Sequence, residues 1–209
     1  MKLSVITPTR NRMNLLEGLL SSLEQQTYTD FEVLVAVDGS TDGTLALLEA
    51  YKRRGRLQLG VVVLSSVGRG AARNAAIASS SAEVLVFLDD DLSLAPEVLA
   101  RHAAFHQVLK KSIAVGAVRF PDNVLRFSKH PDWMNFSGCN VSVARAALQE
   151  LGGFDLAFAE YGGEDLELGY RLHKAGWRYR ALQDAEVFHN GARIPDPKKG
   201  YSAGFEAVR

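Results

Sequence analysis

Short apolar runs alternate with stretches of helical spacing through the first 120 residues. Residues 3–7 predict a strand that stops at Pro8. Leu15, Leu16, Leu19, Leu20 and Leu23 then recur at helical spacing, with Asn11 or Asn14 as the cap. Residues 31–37 predict a second strand running into Asp38-Gly39-Ser40, and residues 44–53 a helix closed by Gly55. A valine-rich strand over 57–64, a small alanine-rich helix over 70–79 and a wholly apolar strand over 84–88 follow. Pro96 suits the first turn of a helix through His106, and residues 113–119 predict a fifth strand. This alternation predicts an α/β fold with a mostly parallel sheet flanked by helices on both faces. Such sheets bind ligands at the C-terminal ends of their strands.

The pattern changes after Phe120. Residues 121–137 lack periodicity and read as a long connection, a kind of segment that often carries function. Residues 140–143 predict a short strand, 144–151 a helix ended by Gly152-Gly153, and 164–175 a second helix ended by Gly176. Residues 177–182 and 187–189 predict two further strands. One domain over residues 1–190, divided near 119, accounts for these elements, and 191–209 reads as a loose tail.

Composition narrows the picture. A chain of 209 residues with 47% apolar and 23% charged residues can bury a core as one domain. Zero formal net charge argues against a general nucleic-acid binder. No apolar run reaches membrane-spanning length, and the N-terminus turns polar too soon for a signal peptide. Cys139 is the only cysteine, which excludes an internal disulfide. The cytoplasm is the expected compartment, with peripheral contact at the inner membrane face left open.

Asp89-Asp90-Asp91 sits at the end of the apolar strand over 84–88. Three adjacent carboxylates repel one another and resist burial, so either a cation neutralises them or water solvates them. Strand tips that present carboxylates hold Mg²⁺ or Mn²⁺ against phosphate; a solvated acidic loop is the bland alternative. Three other polar clusters fall at strand ends or loop tips: Thr7-Pro8-Thr9-Arg10-Asn11-Arg12, Asp38-Gly39-Ser40-Thr41-Asp42-Gly43-Thr44 and Gly68-Arg69-Gly70-Ala71-Ala72-Arg73-Asn74. A turn explains Asp38-Gly39 equally well, and Arg73 reads equally as a solvated charge. In a parallel sheet, though, the clusters would meet at one edge. In Tyr161-Gly162-Gly163-Glu164-Asp165 the glycines permit close backbone approach, and the acids open a helix. The dipole favours negative charge there whatever the function; a general base is the alternative. His189, after Val187-Phe188, is either structural or a further metal ligand. His102 and His106, four apart on one helix face, read as structural or exposed.

Together these residues resemble the family 2 glycosyltransferases of the GT-A fold, from Val5-Ile6-Thr7-Pro8-Thr9 to His189. Ser137-Gly138-Cys139-Asn140-Val141-Ser142-Val143 and Gly162-Gly163-Glu164-Asp165-Leu166 are similar to chondroitin-polymerase-type domains and to galactosyl- and N-acetylgalactosaminyltransferases, with Tyr161 where those usually carry Trp. The resemblance implies a nucleotide-binding half over about 1–119 and a catalytic half over about 120–190. It implies a UDP-sugar donor held by Thr7, Pro8, Thr9, Arg10, Asp38, Arg73, Asp89 and Asp90, with Asp90 alternatively a spacer. It implies a divalent metal, Mn²⁺ or Mg²⁺, on Asp91 and His189. It implies Asp165 as catalytic base of an inverting transfer, with Glu164, Gly163, Tyr161 and Asn140 near the sugars. Trp133, Met134 and Phe136 would line the acceptor cleft or join the core.

The implied acceptor is a glycan, a lipid-linked sugar or a small molecule carrying a hydroxyl. Because little chain follows His189, a transferase adding one sugar is expected rather than an extruding polymerase. Two other readings stay open: a metal-dependent nucleotidyltransferase, which would release pyrophosphate, and a non-catalytic sugar-nucleotide-binding domain.

Overall fold

A computed structural model of the protein describes residues 1–158 and 162–191. Tyr161 and the expected tail beyond Gly191 lie outside the described residues.

The alternating first half forms as its periodicity dictates. Strand β1 (Leu3–Thr9), helix α1 (Met13–Leu23), β2 (Phe31–Asp38), α2 (Thr44–Arg54), β3 (Leu59–Leu64), α3 (Arg69–Ala78) and β4 (Val84–Phe87) follow in order. Gly55 closes α2 in the left-handed conformation, at φ 68°. The strands pair in parallel as β3-β2-β1-β4. Val33, Val35 and Val37 of β2 pack to one face with Leu16, Leu19 and Leu20 of α1. Leu34 and Ala36 pack to the other, with Ala72 and Ala76 of α3. Both faces are covered, which is why β2 and β4 read as unbroken apolar runs rather than alternating ones.

The second half extends the sheet with antiparallel partners. It contains β5 (Leu92–Leu94), α4 (Val98–Val108), β6 (Ser112–Arg119), β7 (Leu125–Arg126), a 3-10 turn (Trp133–Asn135), β8 (Val141–Ala144), α5 (Arg145–Leu151), α6 (Glu164–Lys174) and β9 (Arg178–His189). β8 is antiparallel to both β4 and β6, β9 is parallel to β6, and β5 and β7 add antiparallel edges. The path is β3-β2-β1-β4-β8-β6-β9-β5. Among the described residues no helix is long and apolar enough to cross a membrane.

Several boundaries differ from expectation. β1 runs through Pro8 to Thr9 because β2 stays paired with it that far, Pro8 opposite Ala36, whereas β4 pairs with it only as far as Ile6. Beyond Ile6 the β4 side of β1 carries no ladder pairing, and there a strand tolerates proline. Neither Asn11 nor Asn14 caps α1. Asn11, at φ 52°, instead bonds Ser40 and Thr41 in the loop after β2. Asp42 in that loop accepts from Met13 N of α1 and from Thr44 N of α2, serving both helix starts. Pro96 lies in a turn ahead of α4. The two expected strands over 177–182 and 187–189 are one strand, β9, whose register against β6 shifts between Gly116 and Ala117. Within the long connection Phe136 is buried, Trp133 is partly buried against Tyr170, and Met134 is exposed.

Candidate active site at the carboxylate edge

The C-terminal ends of β1, β2 and β4 bring the polar clusters to one edge. There the acidic run is divided between two arginines. Asp89 Oδ1 accepts from Arg73 Nη2 at 3.1 Å. Asp90 Oδ1 lies 2.8 Å from Arg12 Nη1, and its Oδ2 accepts from Thr9 Oγ1 at 2.7 Å. Asp91 Oδ2 accepts from Arg12 Nη2 at 2.6 Å. Burial pushes the Asp90 carboxyl up to about 6, against the opposing pull of Thr9 and Arg12. The mutual repulsion that makes three adjacent carboxylates informative is thus met largely by cations built into the fold.

Arg73 is not a solvated charge. Its alanine neighbours let α3 approach the sheet closely, and the guanidinium is 1% exposed. Nη1 donates to Glu164 Oε1 at 3.2 Å and to Asp165 Oδ1 at 3.1 Å, while the guanidinium carbon lies 5.4 Å from the Phe154 ring centre. A Cβ at Gly138 would overlap the guanidinium, so glycine is needed there. Burial works against the Arg73 charge, but Asp165, Asp89 and Glu164 outweigh it and hold its pKa above the ordinary guanidinium value. Desolvation raises the Asp89 carboxyl above its ordinary range, with Arg73 opposing.

Gly163, at φ 96°, and Gly162, at φ 99°, turn the chain into α6 through conformations that favour glycine. Of the two acids that follow, the Glu164 side chain is 4% exposed and the Asp165 side chain 24%. Asp165 is the more accessible of the two, whereas Glu164 Oε2 is a buried oxygen with no hydrogen-bond partner among the described residues. Its second oxygen accepts from Gly138 N at 3.0 Å. Helix α6 is fixed from behind. Glu167 pairs with Arg171, which also donates to Leu151 O and Gly153 O. Asn74 of α3 clasps the Phe154 backbone through both its N–H and its C=O.

His189 ends β9 beside Asp91. Its Nε2 is 3.5 Å from Asp91 Oδ1, a buried oxygen with no hydrogen-bond partner among the described residues. A buried orphan carboxylate oxygen next to an imidazole nitrogen fits a divalent cation. Among the described residues no group of three or more His, Cys, Asp or Glu side chains is arranged to hold a metal ion. A cation here would therefore draw further ligands from substrate or water.

On the remaining side, Thr7 is fully buried and its hydroxyl has no partner among the described residues. Pro8 is partly exposed and Arg10 is exposed. The Asp38 carboxylate accepts from Val67 N at 2.7 Å and from Gly68 N at 3.0 Å, so it braces the loop that leads into α3.

Asn140 sits away from the exposed edge. Expected at the sugar site, it is buried in the interior at φ 58°, with its side-chain groups already engaged. Nδ2 donates to Ala117 O and Ala185 O. That leaves Oδ1 to accept from His102 Nε2 at 3.0 Å. His102 Nδ1 must then accept from Ser142 Oγ, and His106 Nε2 donates to the same oxygen. Both histidines are structural, as expected, and burial lowers each to about 4. Arg12 is the residue that sequence reasoning left unassigned, although it lies in the first polar cluster. It stands at the N-cap position of α1, and its partners Asp90 and Asp91 lie 78 and 79 residues away.

The family model "Glycosyl transferase family 2" matches residues 4–163. A validoxylamine A glucosyltransferase of Streptomyces hygroscopicus subsp. jinggangensis is 34% identical, over 83% of this chain and 52% of that protein. The chondroitin synthase of Pasteurella multocida is 27% identical, over 90% of this chain and 24% of that protein. This chain thus spans about half the length of the glucosyltransferase. Among solved structures, Staphylococcus aureus TarS 1–349 in complex with UDP superposes with a TM-score of 0.76 at 26% identity, covering 90% of this chain and 60% of that one. The mannosyltransferase PcManGT from Pyrobaculum calidifontis, in complex with GDP-Man and Mn²⁺, gives 0.72 at 26% identity, covering 95% of this chain and 58% of that one.

Proposed function

The chain belongs to glycosyl transferase family 2, and on that basis we propose that it moves a sugar from a nucleoside-diphosphate donor to a carbohydrate hydroxyl, with inversion at the anomeric carbon and Asp165 as general base. The observation that carries this reading is that Arg73 binds Asp89 and Asp165 at once. The candidate base is thereby held beside the acidic edge of the sheet, where a donor diphosphate would lie.

The chemistry follows from the residues in place. The acceptor oxygen attacks the anomeric carbon as the bond from that carbon to the diphosphate oxygen breaks. Asp165 is acceptor-only when ionised, and each oxygen retains a lone pair beyond its bond to Arg73 or Gly138. It can take the hydroxyl proton as the new bond forms. One displacement at carbon inverts the centre and requires no protein nucleophile. Glu164, nearly buried, holds Arg73 rather than competing as base.

Asp91 and His189 would hold a divalent cation, which when bound offsets the charge gathering on the departing diphosphate. Arg12 keeps Asp91 Oδ2 occupied and leaves Oδ1 facing His189. Thr7, Pro8 and Thr9 would flank the base of the nucleotide, with Asp38 meeting the uracil edge through its remaining lone pairs. The UDP bound to TarS supports a uridine donor, whereas the GDP-Man bound to PcManGT makes guanosine the alternative to exclude.

Incubating the purified protein with UDP- and GDP-sugars, with and without Mn²⁺, and measuring free nucleoside diphosphate tests this reading. Metal-dependent release of UDP is expected. Preference for a GDP-sugar would overturn the uridine assignment, and pyrophosphate release from UTP and a sugar 1-phosphate, with no UDP released from UDP-sugars, would overturn sugar transfer.

A further inference from the structure

The hairpin between β6 and β7 places an aromatic ring on His189. Phe120 N donates to Val124 O at 2.9 Å and Asn123 N to Phe120 O at 2.9 Å, which closes the turn. The Phe120 ring then stacks on the His189 imidazole, with centroids 5.0 Å apart and planes at 28°. Arg126 lies over the same ring, its guanidinium carbon 5.8 Å from the centroid, and its Nη2 donates to Ser137 Oγ at 3.3 Å. Ser137 adjoins Gly138, whose N–H holds Asp165.

His189 is the last residue of β9, where the strand fixes the backbone but leaves the ring free to rotate about its Cβ–Cγ bond. Two contacts remove that freedom. Nδ1 lies 3.1 Å from Gly191 O, which can only accept, so the neutral ring carries its proton on Nδ1 and its lone pair on Nε2. Phe120 covers one face and fixes the ring plane. The Nε2 lone pair is thereby held toward the orphan Asp91 Oδ1.

We propose that Phe120 is a positioning residue for His189: it fixes the imidazole so that Nε2 is presented to a divalent cation shared with Asp91. This rests on the metal-ligand reading of Asp91 and His189. Ligand histidines depend on the groups that hold their ring and tautomer, and losing such a group typically weakens metal binding by about 10- to 100-fold. Phe120 is only partly buried, so replacing it does not empty the core.

The probe is Mn²⁺ in the presence of UDP, with free Mn²⁺ read by electron paramagnetic resonance. The metal-free protein is followed in parallel through the imidazole nitrogen shifts of His189. Phe120→Leu keeps the bulk but removes the stacked ring. It is expected to weaken Mn²⁺ binding about tenfold and to move the metal-free shifts toward a mixture of tautomers. Phe120→Tyr, which keeps a stackable ring, is expected to restore both. If Phe120→Leu binds Mn²⁺ like the parent while His189→Ala does not, Phe120 has no positioning role and the ligand reading stands. If His189→Ala also binds like the parent, both fail. Unchanged His189 shifts in metal-free Phe120→Leu would overturn the positioning role independently of any metal.

Discussion

Arg73 Nη1 lies 3.1 Å from Asp165 Oδ1, joining helix α3 to the start of α6 across 92 residues of sequence. The same guanidinium reaches Asp89 and Glu164, so three acidic side chains from two halves of the chain meet on one buried cation.

Removing that cation leaves the acids uncompensated. Arg73→Met is expected to destabilise the fold by about 3–5 kcal/mol, the usual cost of breaking a buried ion pair from one side. Urea unfolding at neutral pH measures it. A cost below about 1 kcal/mol, as for an exposed pair, would show that Arg73 is not the centre of this cluster. Gly138→Ala should act in the same direction by pushing the guanidinium aside.

Asp165→Asn is expected to lower the transfer rate by about 10²- to 10⁴-fold, the usual contribution of a general base. Asparagine preserves the size of the group and its contact with Gly138, so UDP affinity should hold. Single-turnover kinetics together with UDP titration would separate the two effects. Transfer at the parent rate would remove Asp165 from the base role.

Asn140→Ala should act on stability. It strips partners from Ala117 O, Ala185 O and His102 Nε2, all buried. Each unsatisfied buried group costs about 1–3 kcal/mol, so a loss of about 3 kcal/mol or more is expected in thermal or denaturant unfolding. A stable Asn140→Ala protein with impaired sugar binding would return Asn140 to the sugar site.

Stability should fall in acid. His102 and His106 titrate near 4 in the folded protein because burial disfavours their charged forms. Their unfolded values lie near 6.5. Between those values the unfolded chain binds more protons, so stability is lost as pH drops from about 6.5 to about 4. The limit is about 3 kcal/mol per histidine. Glu32 is the opposite case in chemistry and the same in sign. Although burial opposes its charge, hydrogen bonds from Lys2, Ser4 and Ser81 hold it at about 2, so its contribution disappears below about 4.5. Replacing both histidines with glutamine should flatten the upper window and leave the lower one in place, as read by urea midpoints across pH.

The sequence alone determined the α/β alternation and the edge at which the polar clusters meet, because burial on two faces leaves an apolar pattern that local periodicity reveals. Asp89–Asp91, Arg73, Glu164-Asp165 and His189 stood out because charges beside apolar runs need partners. The identity of those partners was not legible. Arg12 takes two of the three acids of the run, 78 and 79 residues away, and Arg73 the other, 16 residues away. The family resemblance puts Asn140 near the sugars, and the fold ties its side chain to β6, β9 and α4. The polar stretch over residues 183–186 splits β9 in the sequence, and in the fold the register against β6 shifts at that same place, between Gly116 and Ala117. Hydrophobic periodicity is a local property of the chain, whereas charge pairing, amide satisfaction and strand register depend on which distant segments meet, and only the tertiary structure decides that.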